Sequence, residues 1–104
     1  MHRIAFKMQL KPGAASEYKK RHDLIWPELS QLLRDAGISD YSIFLDGETN
    51  SLFAVQKQAG DQGSQDLGQH PLVQKWWDFM ADLMEVNPDN SPVSKPLEEV
   101  FYLA

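Results

Sequence analysis

The sequence predicts an α+β fold in which a four-stranded antiparallel sheet carries two helices on one of its faces. The first observation is a hydrophobic pattern that changes between a period of two and a helical period, in the order β-α-β-β-α-β. The second is length, because 104 residues fit one domain, residues 1–104. The third is that the later strand segments are apolar on both faces, whereas two helices can cover only one face.

The first strand and the first helical region are separated by a change of period. Residues Arg3–Leu10 alternate between apolar and polar, which predicts a half-buried strand. From about 14 to 36, apolar side chains recur at helical spacing, and Gly37 is suited to end the helix. Pro27 lies inside this run, where proline removes a backbone hydrogen bond and clashes with the preceding turn. We therefore expect a kink, or a break into two helices, near Asp23.

The middle of the chain predicts a hairpin. The segments Asp40–Asp46 (DYSIFLD) and Ser51–Lys57 (SLFAVQK) have the composition of strands, and the intervening GETN offers turn residues. The stretch 58–69 is polar and rich in glycine, which predicts a loop or a weak helix start.

The last third predicts a helix, an extended connection and a strand. His70-Pro71 opens the helix, because proline is tolerated in the first turn. Three prolines make the segment 87–96 (NPDNSPVSKP) an extended connection. Residues 97–103 (LEEVFYL) have the composition of a final strand.

This order of elements is that of the ferredoxin-like fold, a split βαβ arrangement. Both faces of the later strands carry apolar residues, for example Ile43 next to Phe44 and Ala54 next to Val55. A sheet face that the helices leave uncovered would expose a large apolar patch, and such patches mark interaction surfaces. We therefore predict a homodimer in which sheet packs against sheet.

Composition excludes several classes of function. A net charge of −5 without a basic cluster argues against binding to nucleic acid or to an anionic membrane. The absence of cysteine excludes disulfides, thiolate chemistry and cysteine-based zinc sites. Lys7 and Gln9 interrupt the first apolar run, so we expect neither a signal peptide nor a membrane-spanning segment. These features favour an intracellular, cytoplasmic protein.

His22 is the first candidate for chemistry. Tyr18 and His22 are four positions apart and therefore neighbours on one helix face, on the stripe that turns toward the core. Trp26 adds an apolar wall on the same stripe. Histidine exchanges protons near neutral pH, and tyrosine offers a hydroxyl group. The alternative, which the stripe alone slightly favours, is a structural histidine bonded to a backbone carbonyl.

Tyr41, Trp76 and Trp77 are candidates for ligand contact. Tyr41 shares a strand face with Ile43, so it either contacts a ligand or is a core tyrosine with its hydroxyl at the sheet edge. Adjacent helix positions differ by about 100°, so Trp76 and Trp77 cannot point at the same spot. One ring can pack in the core while the other lines a cleft and stacks on the C–H face of a sugar, or both can anchor the core.

We expect no metal site. His2 and His70 lie far from His22 in the sequence and share no ligand spacing with it. The chain also has no glycine-rich phosphate loop and no nucleophile elbow.

Taken together, these segments resemble the L-rhamnose mutarotase family. The resemblance runs over essentially the whole chain, and its most specific pieces are Tyr18-x-x-x-His22 with Ile25-Trp26-Pro27, the Trp76-Trp77 pair and the NPDNSP connection. It implies a ferredoxin-like dimeric α/β barrel that interconverts the α and β anomers of L-rhamnose. The main departure from the family pattern is the Gly- and Gln-rich stretch 60–68, which affects the shape of that loop but none of the family's five site positions.

The resemblance also implies residue roles. The proton donor of the family matches His22, and its sugar-contacting residues match Tyr18, Tyr41, Trp76 and Trp77. The reaction requires no cofactor and no metal, because a base takes the anomeric proton and an acid protonates the ring oxygen. Whether a tyrosine or a water molecule handles the second proton stays open.

Two other functions fit the same pattern. One is a dimeric α/β barrel oxidoreductase whose histidine ligates haem, which predicts a Soret band. The other is a non-catalytic sugar-sensing module, which predicts binding without turnover. Tyrosines and tryptophans around a histidine suit a sugar better than a large apolar macrocycle.

Overall fold

A computed structural model describes residues 2–104 of the chain. Its strands are β1 (His2–Gln9), β2 (Ile38–Asp46), β3 (Ser51–Gln58) and β4 (Lys95–Leu97). Its helices are α1 (Ala15–Asp23), α2 (Pro27–Asp35) and α3 (Pro71–Met80). Short 3₁₀ turns cover Ser64–Asp66 and Ala81–Leu83. The predicted order of strands and helical regions is confirmed.

The four strands form one antiparallel sheet in the order β2-β3-β1-β4. β1 pairs with β3 along its whole length, from His2 opposite Gln58 to Gln9 opposite Ser51. β2 and β3 form the predicted hairpin. The α+β class with a four-stranded antiparallel sheet is therefore confirmed.

The first helical region breaks into two helices, as Pro27 predicts. α1 ends at Asp23, and α2 begins with Pro27 as its first residue, where the missing N–H costs no helical hydrogen bond. Gly37 follows α2 with a φ of 88°, and its N–H donates to the carbonyl of Arg34 at 2.9 Å. Gly37 thus ends the helix in the left-handed conformation that glycine adopts without strain.

The core lies between the helices and the inner face of the sheet. Its buried side chains come from β1 and β3 on one side and from the helices on the other, including Phe6, Met8, Leu52 and Ala54 and, facing them, Tyr18, Leu29, Val73, Trp76, Trp77 and Met80. Burial of this apolar surface is the main favourable term in folding. On the outer face of the sheet, by contrast, Phe44 is 62% exposed.

The prediction of a final strand over 97–103 is wrong. β4 ends at Leu97 and pairs with only three residues of β1. The same register would place Val100 opposite His2, where β1 begins, so Phe101 and its successors have no strand residue to face. Val100 and Phe101 are accordingly exposed. The segment has strand composition, but within residues 2–104 only its first residue, Leu97, is paired in the sheet.

Within residues 2–104, no helix combines the length and the apolar character that crossing a membrane requires.

Candidate active site

A cavity of about 1020 Å³ lies between the helices and the inner face of the sheet. Its volume is at the upper end of the range common for small-molecule sites. The five side chains predicted to act on or contact a ligand all line it: Tyr18, His22, Tyr41, Trp76 and Trp77. The fold therefore brings together residues from α1, β2 and α3.

His22 lies in the last turn of α1, and one of its ring nitrogens is bonded. Its Nδ1 is 3.1 Å from the backbone carbonyl oxygen of Tyr18. A carbonyl oxygen can only accept, so Nδ1 donates and neutral His22 carries its proton there. Nε2 is left unprotonated and can act as an acceptor or a base. The structural hydrogen bond considered from the sequence and a chemical role are therefore compatible.

Aromatic rings surround the His22 imidazole. The ring centroid of Tyr18 is 4.3 Å away, and that of Trp76 is 5.4 Å away in an edge-on arrangement. Desolvation lowers the pKa of His22, although the hydrogen bond to the Tyr18 carbonyl and the charge of Asp23 act in the opposite direction. The neutral form, with Nε2 free, is therefore the resting form at neutral pH.

Two tyrosine hydroxyls share the cavity with His22. Burial raises the pKa of Tyr18, and the nearby Tyr41 raises it further. Burial also raises the pKa of Tyr41, against the smaller effect of hydrogen bonds to Ser64 and Gln56. Both phenols therefore stay protonated and can donate hydrogen bonds to a ligand.

A β-bulge turns Tyr41 toward the cavity. The register of β2 on β3 shifts within 39–42, so Asp40 and Tyr41 together face Gln56. Ile38, before the bulge, is buried on the inner face, and strict alternation from it would turn Tyr41 outward. Asp40 absorbs the extra residue with a φ of 47°, which aspartate tolerates better than most residues.

Trp76 connects the cavity to an aromatic cluster behind it. Its ring meets Trp26 edge to face at a centroid distance of 5.0 Å and Phe79 at 5.8 Å. Trp26 packs behind Trp76 and does not line the cavity, so the predicted Trp26 wall is indirect. The orientation of Trp76 is set by rings on both sides, those of His22 and Trp26.

Trp77 is held in place by the loop that precedes α3. A Cβ on Gly68 would lie 2.7 Å from Cη2 of Trp77, so the loop backbone rests on the indole and only glycine fits. Trp77 is buried and, like Trp76, lines the cavity. The stretch 60–68, which includes none of the five predicted ligand positions, therefore packs against one of them.

A buried polar network beside Tyr41 was not found from the sequence. Gln56 is fully buried and makes two hydrogen bonds with Ser64, each 2.8 Å long. The hydroxyl of Ser64 lies 3.4 Å from that of Tyr41. The available signal was a glutamine at an inward position of β3, where the strand pattern calls for an apolar residue.

The remaining histidines lie outside the cavity. His70 precedes α3, and its Nδ1 accepts a hydrogen bond from the backbone N–H of Leu72 at 3.1 Å. His2 is on β1. In the part of the chain that the structure describes, no group of three or more His, Asp or Glu side chains could hold a metal ion.

Comparisons with known proteins all indicate one family. Residues 3–103 match the family model for L-rhamnose mutarotase. The chain is 67% identical to an L-rhamnose mutarotase from Bacteroides thetaiotaomicron and 66% identical to one from Formosa agariphila, each over 103 residues and 99% of both chains. A crystal structure of L-rhamnose mutarotase from Formosa agariphila matches the fold with a TM-score of 0.93 at 62% identity, covering 100% of both chains.

Proposed function

The chain belongs to the L-rhamnose mutarotase family, and we propose that it interconverts the α and β anomers of L-rhamnose in the aromatic cavity. The observation that carries this proposal is the arrangement at His22. Its imidazole has an unprotonated Nε2 and shares the cavity with two phenols and two indoles. The family match gives no support to a haem-dependent oxidoreductase or to a sugar-sensing module.

Mutarotation opens a cyclic hemiacetal and closes it again. A base takes the proton of the anomeric hydroxyl while the bond between C1 and the ring oxygen breaks, and the ring oxygen keeps the electron pair and receives a proton. Rotation about the C1–C2 bond then presents the other face of the aldehyde, and the reverse steps form the other anomer. The reaction moves protons and one C–O bond without oxidation or reduction, so it requires neither a metal nor a cofactor.

His22 is the principal acid and base in this proposal. Its neutral Nε2 takes the anomeric proton on opening, and the imidazolium returns a proton on closing. The hydrogen bond from Nδ1 to the Tyr18 carbonyl orients the ring and stabilises the charge that forms. The lowered pKa of His22 favours the neutral form that starts the cycle. The family resemblance implies that His22 is a proton donor, and this role corresponds to the ring-closing step, in which the imidazolium returns its proton.

Tyr18 and Tyr41 orient the hydroxyl groups of the sugar by donating hydrogen bonds. Their raised pKa values keep both phenols protonated, as hydrogen-bond donors require. Trp76 and Trp77 offer aromatic rings to the C–H groups of the sugar. Apolar residues that line the cavity accept the 6-deoxy methyl group, among them Met8, Leu52 and Val73.

We also propose that two copies pair through the outer face of the sheet as a ferredoxin-like dimeric α/β barrel. The strand order β2-β3-β1-β4, with the helices on one face, supports this arrangement. Phe44 on the outer face is 62% exposed, and Phe101 beyond β4 is 77% exposed, which a partner sheet would cover. A cytoplasmic location and a single domain over 1–104 stay predictions from the sequence.

Sedimentation velocity tests the dimer. Phe44→Glu places a charge on the outer sheet face and should convert dimers to monomers, because burial of an unpaired charge is costly. Leu24→Glu is the matched control, since Leu24 is equally apolar and 69% exposed but lies between α1 and α2. A monomeric wild-type protein would refute the dimer.

NMR saturation transfer between the two anomeric protons of L-rhamnose tests the activity. The purified protein should speed the exchange above the rate in buffer. L-Mannose, which carries a hydroxymethyl group where L-rhamnose has its methyl group, should be a poorer substrate because the apolar lining offers the added hydroxyl no partner. Equal exchange with and without protein would refute the proposed function.

A further inference from the structure

Gln56, Ser64 and Tyr41 form a hydrogen-bond network, and the chemistry of its groups determines which of them donates in each bond. Gln56 is 0% exposed, and its Oε1 lies 2.8 Å from the backbone nitrogen of Ser64. A backbone N–H can only donate, so this contact assigns Oε1 to that side of the Gln56 amide. The amide nitrogen of Gln56 must then be the atom 2.8 Å from the Ser64 hydroxyl, to which it donates.

The hydroxyl of Ser64 consequently has its hydrogen free for Tyr41. Its oxygen accepts from the Gln56 amide at 2.8 Å and from the Gln65 amide at 3.2 Å. With the Gln65 amide nitrogen turned to Ser64, an orientation that leaves the Gln65 Oε1 without a hydrogen-bond partner among the described residues, both lone pairs of the Ser64 oxygen are occupied. The remaining hydrogen of Ser64 is directed to the Tyr41 hydroxyl oxygen, 3.4 Å away. This distance is long for O–H···O, and such bonds often tighten when substrate binds.

The surrounding structure holds this network in place. Ser64 is buried, and it follows Gly63, where a Cβ would lie 2.7 Å from Oε1 of Gln58 and 3.0 Å from Oε1 of Gln56. Any larger residue at this position would have to displace the ends of these glutamine side chains, so glycine lets the loop approach β3 closely. The β2 bulge places Tyr41 opposite Gln56, so the loop and the strand meet at the same point of the cavity.

We infer that Gln56 and Ser64 are positioning residues for Tyr41. Ser64, oriented by Gln56, donates a hydrogen bond to the Tyr41 hydroxyl oxygen, and Tyr41 therefore donates its own hydrogen to the sugar. The inference rests on the proposed function, in which Tyr41 contacts L-rhamnose. A phenol with its oxygen occupied by the Ser64 hydrogen has its own hydrogen free for a sugar oxygen. The network thus favours a sugar oxygen that accepts a hydrogen bond from Tyr41. Gln56 and Ser64 exert this effect without needing to contact the sugar themselves.

A double-mutant cycle tests this inference. Anomer exchange is measured by saturation transfer over a range of L-rhamnose concentrations, which gives kcat and KM for each variant. Ser64→Ala is made in the wild-type protein and in Tyr41→Phe. A hydrogen bond to a non-reacting hydroxyl holds substrate and transition state alike, so its loss raises KM rather than lowering kcat. We expect Ser64→Ala to raise KM about three- to tenfold in the wild type and to add nothing to Tyr41→Phe.

Gln58→Met is the matched control. Gln58 is also a buried glutamine on the inner face of β3, but its amide donates to the Gly60 carbonyl rather than to Ser64. Its replacement should leave KM the same in both backgrounds. Gln56→Met provides a second variant of the network if Ser64→Ala does not fold, and it should show the same dependence on Tyr41.

Three results would overturn the inference while leaving the proposed activity intact. An equal rise of KM from Ser64→Ala in both backgrounds would mean that Ser64 acts on general packing. No rise at all in the wild type would mean that the network does not act through Tyr41. An unaltered KM in Tyr41→Phe would overturn it together with the ligand contact of Tyr41, whereas the activity itself fails only if the wild-type protein does not speed the exchange.

Discussion

The two ends of the cavity are built in different ways. At one end, Tyr18 and His22 belong to a single helix, and their rings meet across one helical turn at 4.3 Å. At the other end, Tyr41 reaches the cavity through a bulge and is held by Ser64, which lies 23 positions further along the chain. The residue proposed to transfer protons, His22, is thus placed by local geometry, whereas the position of Tyr41, proposed to orient the ligand, depends on strand register and on a loop.

Replacing His22 should have the largest effect on the rate of anomer exchange, and it should alter only the end of the cavity that α1 forms. His22→Ala removes the base, and a positioned acid or base contributes about 10²–10⁴-fold to a rate. We expect a loss of that size in anomer exchange of L-rhamnose, measured by saturation transfer, with near-normal stability. His70→Asn is the control, because His70 lies outside the cavity and asparagine can still cap α3. Unchanged exchange in His22→Ala would remove His22 from its proposed role.

A glycine substitution in the loop that carries Ser64 should have an effect of intermediate size. A Cβ on Gly68 would overlap the ring of Trp77, and such overpacking costs about 1–3 kcal/mol. Gly68→Ala should therefore lower the free energy of unfolding in urea and displace Trp77 in the cavity. Gly60→Ala, in the same loop, meets no atom within 4 Å and is the matched control. Equal stability of the two variants would contradict the packing of this loop on Trp77.

The smallest expected effect is a pH dependence that belongs to His22. The pKa of this residue is lower in the folded protein than the ordinary value of about 6.5. As pH falls below that value, the unfolded chain binds the proton before the folded protein does, so the free energy of unfolding decreases. The decrease stops below the folded pKa, and each unit of difference corresponds to about 1.4 kcal/mol.

Urea unfolding across this pH window, compared between wild type and His22→Gln, measures the effect. The variant should lose the His22 part of the pH dependence. An NMR titration of the imidazole should show a midpoint below the ordinary value. A midpoint at or above that value would contradict the desolvation by Tyr18 and Trp76.

Local patterns were sufficient for much of the fold. The change of period located the helices and the hairpin, and Pro27 predicted the break between α1 and α2, because a proline acts on its own turn. The spacing of Tyr18 and His22 likewise placed both on one face, since residues four apart on a helix are neighbours. Tyr41, Trp76 and Trp77 were candidates from residue type and position, the family resemblance favoured ligand contact over a core role, and all three line the cavity.

Contacts between distant segments account for what the sequence did not reveal. A bulge cannot be recognised from alternation alone, because its extra residue matters only against a paired strand, here at Gln56. Composition suggested a strand over 97–103, but a strand needs a paired neighbour, and within residues 2–104 the pairing with β1 ends at Leu97. The loop at 60–68 contains none of the predicted site residues, but in the structure Gly68 packs against Trp77 and Ser64 lies beside Tyr41.

The sequence by itself determined the elements of this protein and the helical partnership of His22, because both follow from rules that act within a few residues. Only the tertiary structure determined the protonation and the hydrogen bonding of His22 and Tyr41. The carbonyl of Tyr18 sets the tautomer of His22, surrounding rings lower its pKa, and a serine from a distant loop directs the hydrogen of Tyr41. Hydrogen-bond direction and desolvation depend on which atoms come into contact in the folded chain, and the sequence pattern does not show these contacts.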